Sequence, residues 1–242
     1  MGFPDVSETI TATIAAVQSS LGYWSPTVGT SNEPAITSAN NVQQVMLAPP
    51  FKWSWNRNSL TFNTVAGTQD YTSSVTDFGY AETATIAYPG NSRIVSLNVL
   101  NHTPLGESID QQVPATIGVQ QNTVGTSVKF RFLGVPDKIY AVVVWYQKFS
   151  PKISALSDTW VPPDFMGYIY QRGFLAELYE AFAQPSLAAQ QRASFAAGLI
   201  ANSEGLTLTE KNMFLAQYLG NMRMLQDSQL STQVGTQARS AG

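Results

Sequence analysis

The sequence predicts an α+β protein: a helical bundle of N- and C-terminal helices with an inserted antiparallel β domain and an extended C-terminal tail. Apolar residues recur at helical spacing before residue 50 and again after residue 160. Between these regions the spacing falls to two residues, and Gly, Pro and Asn punctuate the chain. Because helices and strands occur in separate runs, α+β is favoured over a parallel nucleotide-binding sheet.

Four segments follow from these changes of period. Residues 1–50 are predicted to hold two helices and a loop, 51–150 the antiparallel β domain, 151–226 the C-terminal helices, and 227–242 a flexible arm. The arm is rich in Ser, Thr, Gln and Gly. Such a composition cannot bury enough apolar surface to fold alone, so the arm is predicted to be flexible.

The N-terminal segment begins with an amphipathic helix. Over residues 5–21 the apolar side chains fall on one stripe, and Asp5 with Glu8 has the spacing of a capping box. A loop rich in turn formers follows. A second helix is then predicted from near Pro34, and the prolines that start at Pro49 end it.

The β domain opens on alternating aromatic and polar residues. In a strand, this alternation would place the rings of Phe51, Trp53 and Trp55 on one face. The same two-residue period, or a buried apolar run, predicts further strands at 59–65, 83–88, 93–99, 128–133 and 139–147.

Residues 62–72 read FNTVAGTQDYT and combine apolar alternation with a small polar break. They predict a β turn that enters the sheet. Gly67 supplies the backbone freedom of the turn, while Phe62 and Tyr71 are placed to anchor its flanks. The segment carries no catalytic group.

Three helices are predicted after residue 160. They run from Pro163 to about Ala183, from Pro185 to about Ser203, and from Thr207 to about Gln226. At the start of the last helix, Thr207 and Glu210 have the spacing of a second capping box, in which each side chain binds the backbone amide of the other residue.

Composition excludes several classes of function. With 13 Lys and Arg against 16 Asp and Glu, the net charge of −3 gives no attraction to phosphate backbones or anionic lipid. Because the chain has no cysteine, neither disulfides nor thiolate metal sites are expected. The N-terminus lacks the pattern of a secretory signal, and no apolar run approaches the roughly 20 residues that cross a bilayer.

No group of residues predicts catalysis, a cofactor or a metal ion. The glycines form no phosphate-binding pattern, and the single histidine, His102, lies in a polar turn-like segment. Glu177 and Glu180 share a helix face, as a catalytic carboxylate pair would, but a solvated helix face is the favoured interpretation. We therefore predict that the protein is not an enzyme.

Several segments together resemble the head-to-tail adaptor, or connector, proteins of tailed bacteriophages. The segments are FKWSWNR, FNTVAGTQDYT, a buried strand ending VVVWYQ, and WVPPDFMGYIYQRGFLAELYEAF. In that family a helix precedes a phrase of the type F-x-T-V-A-G-x-x-D-Y, a small β domain follows, and a P-P-x-F step leads into C-terminal helices. The resemblance covers most of residues 33–183 as an order of elements.

The resemblance implies a virion structural protein at the neck, present in the host cytoplasm during assembly. Identical subunits, commonly twelve, would form a ring beneath the portal protein, and genomic DNA would pass through it without sequence-specific binding. The implied partners are other copies of the chain, the portal protein, and tail or neck proteins, with no membrane. The residues predicted to contact them are Arg172, Tyr179, Phe182, Leu225, Gln229, Leu230, Val234 and Arg239.

Other functions stay open at this point. Within the virion, the chain could form another neck or tail ring, such as a tail terminator or a tail-tube component. From a different class, it could be a carbohydrate-binding module that exposes Trp53 and Trp55 for stacking on sugars. An enzyme ranks last, because it would need a pocket uniting Glu177, Glu180 or His102 with a partner that the sequence does not reveal.

Overall fold

The computed structural model describes residues 8–18, 33–90, 93–101, 105–123 and 126–218. The chain divides into two compact units. The β unit is Lys52–Ser150, and the helical unit combines the flanking segments Met1–Phe51 and Pro151–Gly242.

The helical unit is arranged around its third helix. Its helices are α1 (Ile10–Gln18), α2 (Ala35–Leu47), α3 (Gly167–Ala181), α4 (Pro185–Asn202) and α5, described over 208–218. Helix α3 contacts α1, α2 and α4. At Gly173, a side chain would meet Phe195 of α4 at 2.9 Å and Val42 of α2 at 3.0 Å. The absence of a side chain at this position therefore lets three helices approach closely.

The second of the two predicted capping boxes lies at the start of α5. Glu210 Oε2 accepts the Thr207 amide at 2.8 Å, and Thr207 Oγ1 accepts the Glu210 amide at 3.2 Å, which confirms the second capping box. The first predicted capping box paired Asp5 with Glu8, and Asp5 lies outside the described residues. The Glu8 carboxylate accepts the hydroxyl of Tyr170 at 2.5 Å and so ties the start of the unit to α3.

The β unit contains a sheet of seven strands and a smaller pair. The large sheet has the order β1-β9-β3-β4-β6-β7-β2, and β5 pairs with β8. The strands are β1 (Arg57–Asn63), β2 (Asp70–Ser73), β3 (Phe78–Ala87), β4 (Ile94–Asn101), β5 (Gln111–Gln112), β6 (Thr116–Thr123), β7 (Ser127–Phe132), β8 (Val135–Pro136) and β9 (Ala141–Lys148).

Two consecutive strands form the two edges of the large sheet. β1 and β2 are joined by residues 64–69, a connection that can span at most about 25 Å. A flat seven-stranded sheet would separate its edges by about 29 Å. The rings of Phe62 on β1 and Tyr71 on β2 are in fact 5.3 Å apart. The sheet is therefore curled into a near-barrel, with the short connection bridging its edges.

Aromatic side chains fill the inside of the curled sheet. Phe62 stacks on Phe130 of β7 at 5.7 Å, and Phe78 of β3 meets the same ring edge-on at 5.9 Å. Phe130 is completely buried, as are Val142 and Val144 of β9. The core of the unit thus lies on one face of the sheet, and the alternate residues of the strands point outward.

The predicted fold class, a helical bundle with an inserted antiparallel β domain, is wrong. The protein is mixed α/β and is dominated by the seven-stranded near-barrel sheet. The β domain is also not purely antiparallel, because β4 and β6 run parallel. Apolar spacing indicates that a strand exists but carries no information on its neighbour or direction. The strands DYTS and TIGVQQNT were not predicted, because they are too polar to show a clear apolar period.

The strand predicted from Phe51 to Trp55 is also wrong. Residues 51–53 are irregular, and Ser54–Asn56 forms a short 3-10 turn before β1. Trp53 and Trp55 stack on each other, with ring centroids 5.8 Å apart. The Gln147 side chain accepts the amide of Trp53 and donates to its carbonyl, both at 3.2 Å. These bonds hold the segment beside β9 without adding it to the ladder.

Candidate interaction surface

Three loops of the β unit meet at one end of the sheet. They are residues 64–69 between β1 and β2, 105–115 around β5, and 133–140 around β8. Hydrogen bonds join them from Gly67 N to Pro136 O at 3.0 Å, from Val135 N to Asp110 O at 3.0 Å, and from Gln69 Nε2 to Gly106 O at 3.1 Å. Because each loop is bonded to another, the three form one surface.

This surface exposes large apolar side chains, and we call it the apolar tip. Ile109 is 93% exposed, and Ile139 is 61% exposed. Its members are Val65, Ile109, Val113, Leu133 and Ile139. A group of exposed apolar side chains on one surface is typical of a site that binds another protein.

The segment FNTVAGTQDYT supplies the first loop of the tip. The Tyr71 hydroxyl donates to Thr68 O at 2.7 Å and accepts the Val65 amide at 2.9 Å. Burial raises the pKa of Tyr71 above its ordinary value. Gly67 has φ +82°, a conformation that favours glycine. The predicted turn, with Gly67 at its bend and Phe62 and Tyr71 on its flanks, is confirmed.

Four of the five tip residues were not singled out from the sequence. Ile109, Val113, Leu133 and Ile139 stand within polar, turn-rich stretches such as GESIDQQVP and LGVPDKI. Isolated apolar residues between turn formers are the signal that could have found them. Their grouping could not be predicted, because it depends on which loops the sheet brings together.

None of the described residues that were predicted to contact partners belongs to the apolar tip. Arg172 is exposed on α3 and donates to Gln191 Oε1 of α4 at 2.8 Å. Tyr179 is 8% exposed on the same helix, and Phe182 is half-buried just after it. Their contact with partners stays a prediction. The remaining predicted contacts, Leu225, Gln229, Leu230, Val234 and Arg239, lie outside the described residues.

The carboxylates that were weighed for catalysis form an ion cluster. Arg192 of α4 donates to Glu177 at 3.0 Å and also to Glu180. Glu177 accepts a further bond from Asn41 of α2 at 2.9 Å. The interpretation as a solvated face therefore suits the half-exposed Glu180 but is wrong for the mostly buried Glu177. His102 lies outside the described residues.

The aromatic platform weighed for sugar binding is not available at the predicted place. Trp53 is 2% exposed and Trp55 is half-buried, so a sugar could not stack on the pair as an open surface. A ring that is in place for such stacking is Trp145 of β9, which is 42% exposed. It belongs to the apolar run VVVWYQ, which was interpreted as a strand covered on both faces.

Comparison with known proteins gives no family for this chain. No protein-family model matches the sequence. No curated protein matches it significantly. Among the described residues, no group of three or more His, Asp or Glu side chains could hold a metal ion. None of the helices within this part of the chain has the length and apolar character that a membrane span requires.

Proposed function

We propose that this protein is a virion structural protein, a head-to-tail adaptor of a tailed bacteriophage that assembles as a ring of identical subunits. The observation that carries the proposal is the apolar tip. Its first loop, residues 64–69, lies within the segment FNTVAGTQDYT, on which much of the resemblance to the adaptor family depends. The surface that exposes apolar side chains thus includes part of the family-like segment, with Val65.

A ring requires a contact in which one surface of a subunit meets a different surface of the next. The apolar tip supplies one such surface, since large apolar groups drive association when they leave water. The hydrogen bonds between its loops hold these groups in place before assembly, which lowers the entropy lost on binding. The low charge of the chain also favours packing between copies.

The proposal extends to the neighbours of the ring. The portal protein lies on one side and tail or neck proteins on the other, and the arm 227–242 docks on one of them. Genomic DNA passes through the ring without sequence-specific contacts, in keeping with the net charge of −3. The protein has no catalytic step of its own in this role.

Electron microscopy of the full chain, alone and mixed with portal protein, tests the function. We expect rings of one fixed symmetry, and labelled virions that carry the chain between portal and tail. A chain that stays monomeric beside the portal protein, in a virion that lacks it at the neck, would overturn the proposal. A position below the neck would assign the chain to a tail ring instead and would contradict the adaptor role.

Paired variants test whether the apolar tip makes the ring contact. Ile109→Ser combined with Leu133→Ser should abolish rings in mass photometry, while the melting temperature stays close to wild type, because exposed substitutions change stability by only about 0.5 kcal/mol. The control is Leu208→Ser, an exposed leucine of the helical unit. If the double variant still forms rings, the tip is not the contact, even where the ring itself is established.

A further inference from the structure

A second surface of the β unit has a different chemistry from the apolar tip. Trp145 lies within β9 on the outer face of the sheet, since its neighbours Val144 and Tyr146 point into the core. Its register partners are Ser59 on β1 and Thr83 on β3. Paired residues project to the same side of a sheet, so two exposed hydroxyl groups flank the indole ring.

A bulge in β3 brings a charged pair to the same face. The register between β3 and β9 shifts from Ala81 to Thr83, which leaves Glu82 as the extra residue of the bulge. A bulge of this kind re-aims a side chain. The Glu82 carboxylate accepts both guanidinium bonds of Arg57, at 2.8 and 2.6 Å, and a third bond from Gln147 Nε2 at 3.1 Å.

These residues line an open groove. The groove has a volume of about 340 Å³ and is lined by Arg57, Glu82, Thr83 and Trp145. Small-molecule sites occupy roughly 300–1,000 Å³, so the groove is large enough for a ligand of the size of a sugar residue. The Glu82 side chain is only 9% exposed, and its three hydrogen bonds fix its position beside the groove.

The charge of the groove favours a neutral ligand. Burial alone would raise the pKa of Glu82, but the hydrogen bonds from Arg57 and Gln147 outweigh burial and hold this pKa below its ordinary value. Arg57 and Glu82 are therefore both ionised at neutral pH and neutralise each other, and Lys52 adds a second positive charge near Glu82. A phosphate group would have to compete with Glu82 for Arg57, and a cation would have to compete with Arg57 for Glu82.

A neutral ligand that suits this groove must have one apolar face and several hydroxyl groups. We propose that the groove binds a neutral hexopyranose residue of a glycan. The C–H face of the pyranose ring packs on the indole of Trp145, while its hydroxyl groups donate to Glu82 and accept from Arg57. Ser59 and Thr83 complete the polar rim. This site is separate from the apolar tip and does not depend on the adaptor role.

Saturation-transfer NMR on the full chain tests the site. The probes are the methyl glycosides of glucose, galactose and mannose, with glucose 6-phosphate as a charged comparison. We expect at least one methyl glycoside to bind in the millimolar range, with the strongest transfer to the protons of one ring face. Failure of all three glycosides to bind, or tighter binding of glucose 6-phosphate than of glucose glycoside, would overturn the proposal.

Variants connect the binding to the named residues. Trp145→Ala should weaken the glycoside at least about tenfold, and Trp145→Phe should restore part of the affinity, because a smaller aromatic ring still stacks. Tyr168→Ala removes an exposed aromatic ring of the helical unit and should bind as wild type. Circular dichroism establishes that each variant is folded. Wild-type binding by folded Trp145→Ala, or equal loss in Tyr168→Ala, would contradict the site.

A second variant tests the polar side of the groove. Glu82→Gln keeps the shape of the side chain but removes the charge that Arg57 neutralises. We expect binding of the neutral glycoside to weaken and binding of glucose 6-phosphate to strengthen, since an ionised Glu82 then no longer competes with the phosphate for Arg57. An unchanged ratio of the two affinities would show that Arg57 and Glu82 do not face the ligand.

Discussion

The helical unit and the β unit are stabilised by different kinds of contact. In the helical unit, buried or partly buried polar side chains join the segment before residue 52 to the segment after residue 150. The bonds are Asn40 Nδ2 to Ile153 O at 2.8 Å, Gln43 Nε2 to Pro151 O at 2.8 Å and Trp160 Nε1 to Thr13 Oγ1 at 2.8 Å. The β unit, a continuous segment, relies mainly on strand ladders and stacked aromatic rings, and its buried polar side chains, such as Gln147 and Thr64, bond to backbone groups within the unit.

This difference follows from how each unit is composed: the helical unit combines two segments of the chain, whereas the β unit is one continuous segment. Two segments that are distant in sequence need directional contacts to set how they pack, and hydrogen bonds supply that direction. A curled sheet already has its register set by the ladders, so its interior can be filled mainly by apolar side chains of suitable volume. We therefore expect the loss of apolar volume inside the sheet and the loss of a polar bond between the two helical segments each to reduce stability mainly within its own unit.

The largest effect should come from Phe130→Ala in the β unit. The ring is fully buried between Phe62 and Phe78, and its removal leaves a cavity that costs about 3–5 kcal/mol. Hydrogen exchange, read separately for each unit, should show lost protection mainly within 52–150. Phe165→Ala, at an exposed ring of the helical unit, is the control. Equal loss of protection in both units would contradict the difference between them.

A smaller effect is expected from Gln43→Ala in the helical unit. The buried amide donates to Pro151 O at 2.8 Å and accepts the Val161 amide at 3.0 Å. Its loss removes two partly buried hydrogen bonds, each of which contributes about 0.5–1.5 kcal/mol. Protection should fall in α2 and after residue 150. Gln190→Ala, on the exposed side of α4, serves as the control, and a Gln43→Ala protein as stable as this control would contradict the role of the amide.

The smallest effect is expected from Asp70 in the β unit. Its carboxylate accepts two bonds from Arg131 at 2.6 and 2.7 Å, and these bonds hold the pKa of Asp70 below its ordinary value. A carboxyl group whose pKa is lower in the folded state contributes stability above its unfolded pKa, and this contribution is lost as pH falls.

Asp70→Asn should therefore flatten the decline in unfolding free energy between about pH 5 and pH 2. Denaturant titrations at a series of pH values measure the slope. Arg131→Gln should flatten it to a similar extent, because it removes the same pair. A wild-type slope in either variant would show that the pair does not contribute to the pH dependence.

The sequence predicted most helices and the strongest strands, because their apolar periods and caps are local features. Thr207 with Glu210, and the turn at Gly67, depend only on neighbouring residues and are confirmed. The curled seven-stranded sheet was missed because pairing and direction depend on contacts such as Leu60 with Val144, which are remote in sequence.

The apolar tip and the groove beside Trp145 could not be predicted for the same reason, because each depends on contacts that are remote in sequence. Trp145 belongs to a run that was predicted to be a buried strand, since an apolar run does not reveal that one face of its strand is open. Glu82 was not singled out, because its bond to Arg57 requires both the pairing of three strands and a bulge. Sites assembled from separate strands thus need the topology before their residues can be recognised.

The six-residue connection 64–69 also has a consequence for folding. It brings the two edges of the sheet together at little loop-closure cost, since β1 and β2 are close in sequence. The β1–β9 ladder, in contrast, must join residues about 80 positions apart, as in Leu60 with Val144. We expect the turn to form early and the β1–β9 ladder to limit the folding rate. Strand β1 and its turn should therefore stay unpaired until β9, the last strand of the unit, joins the sheet.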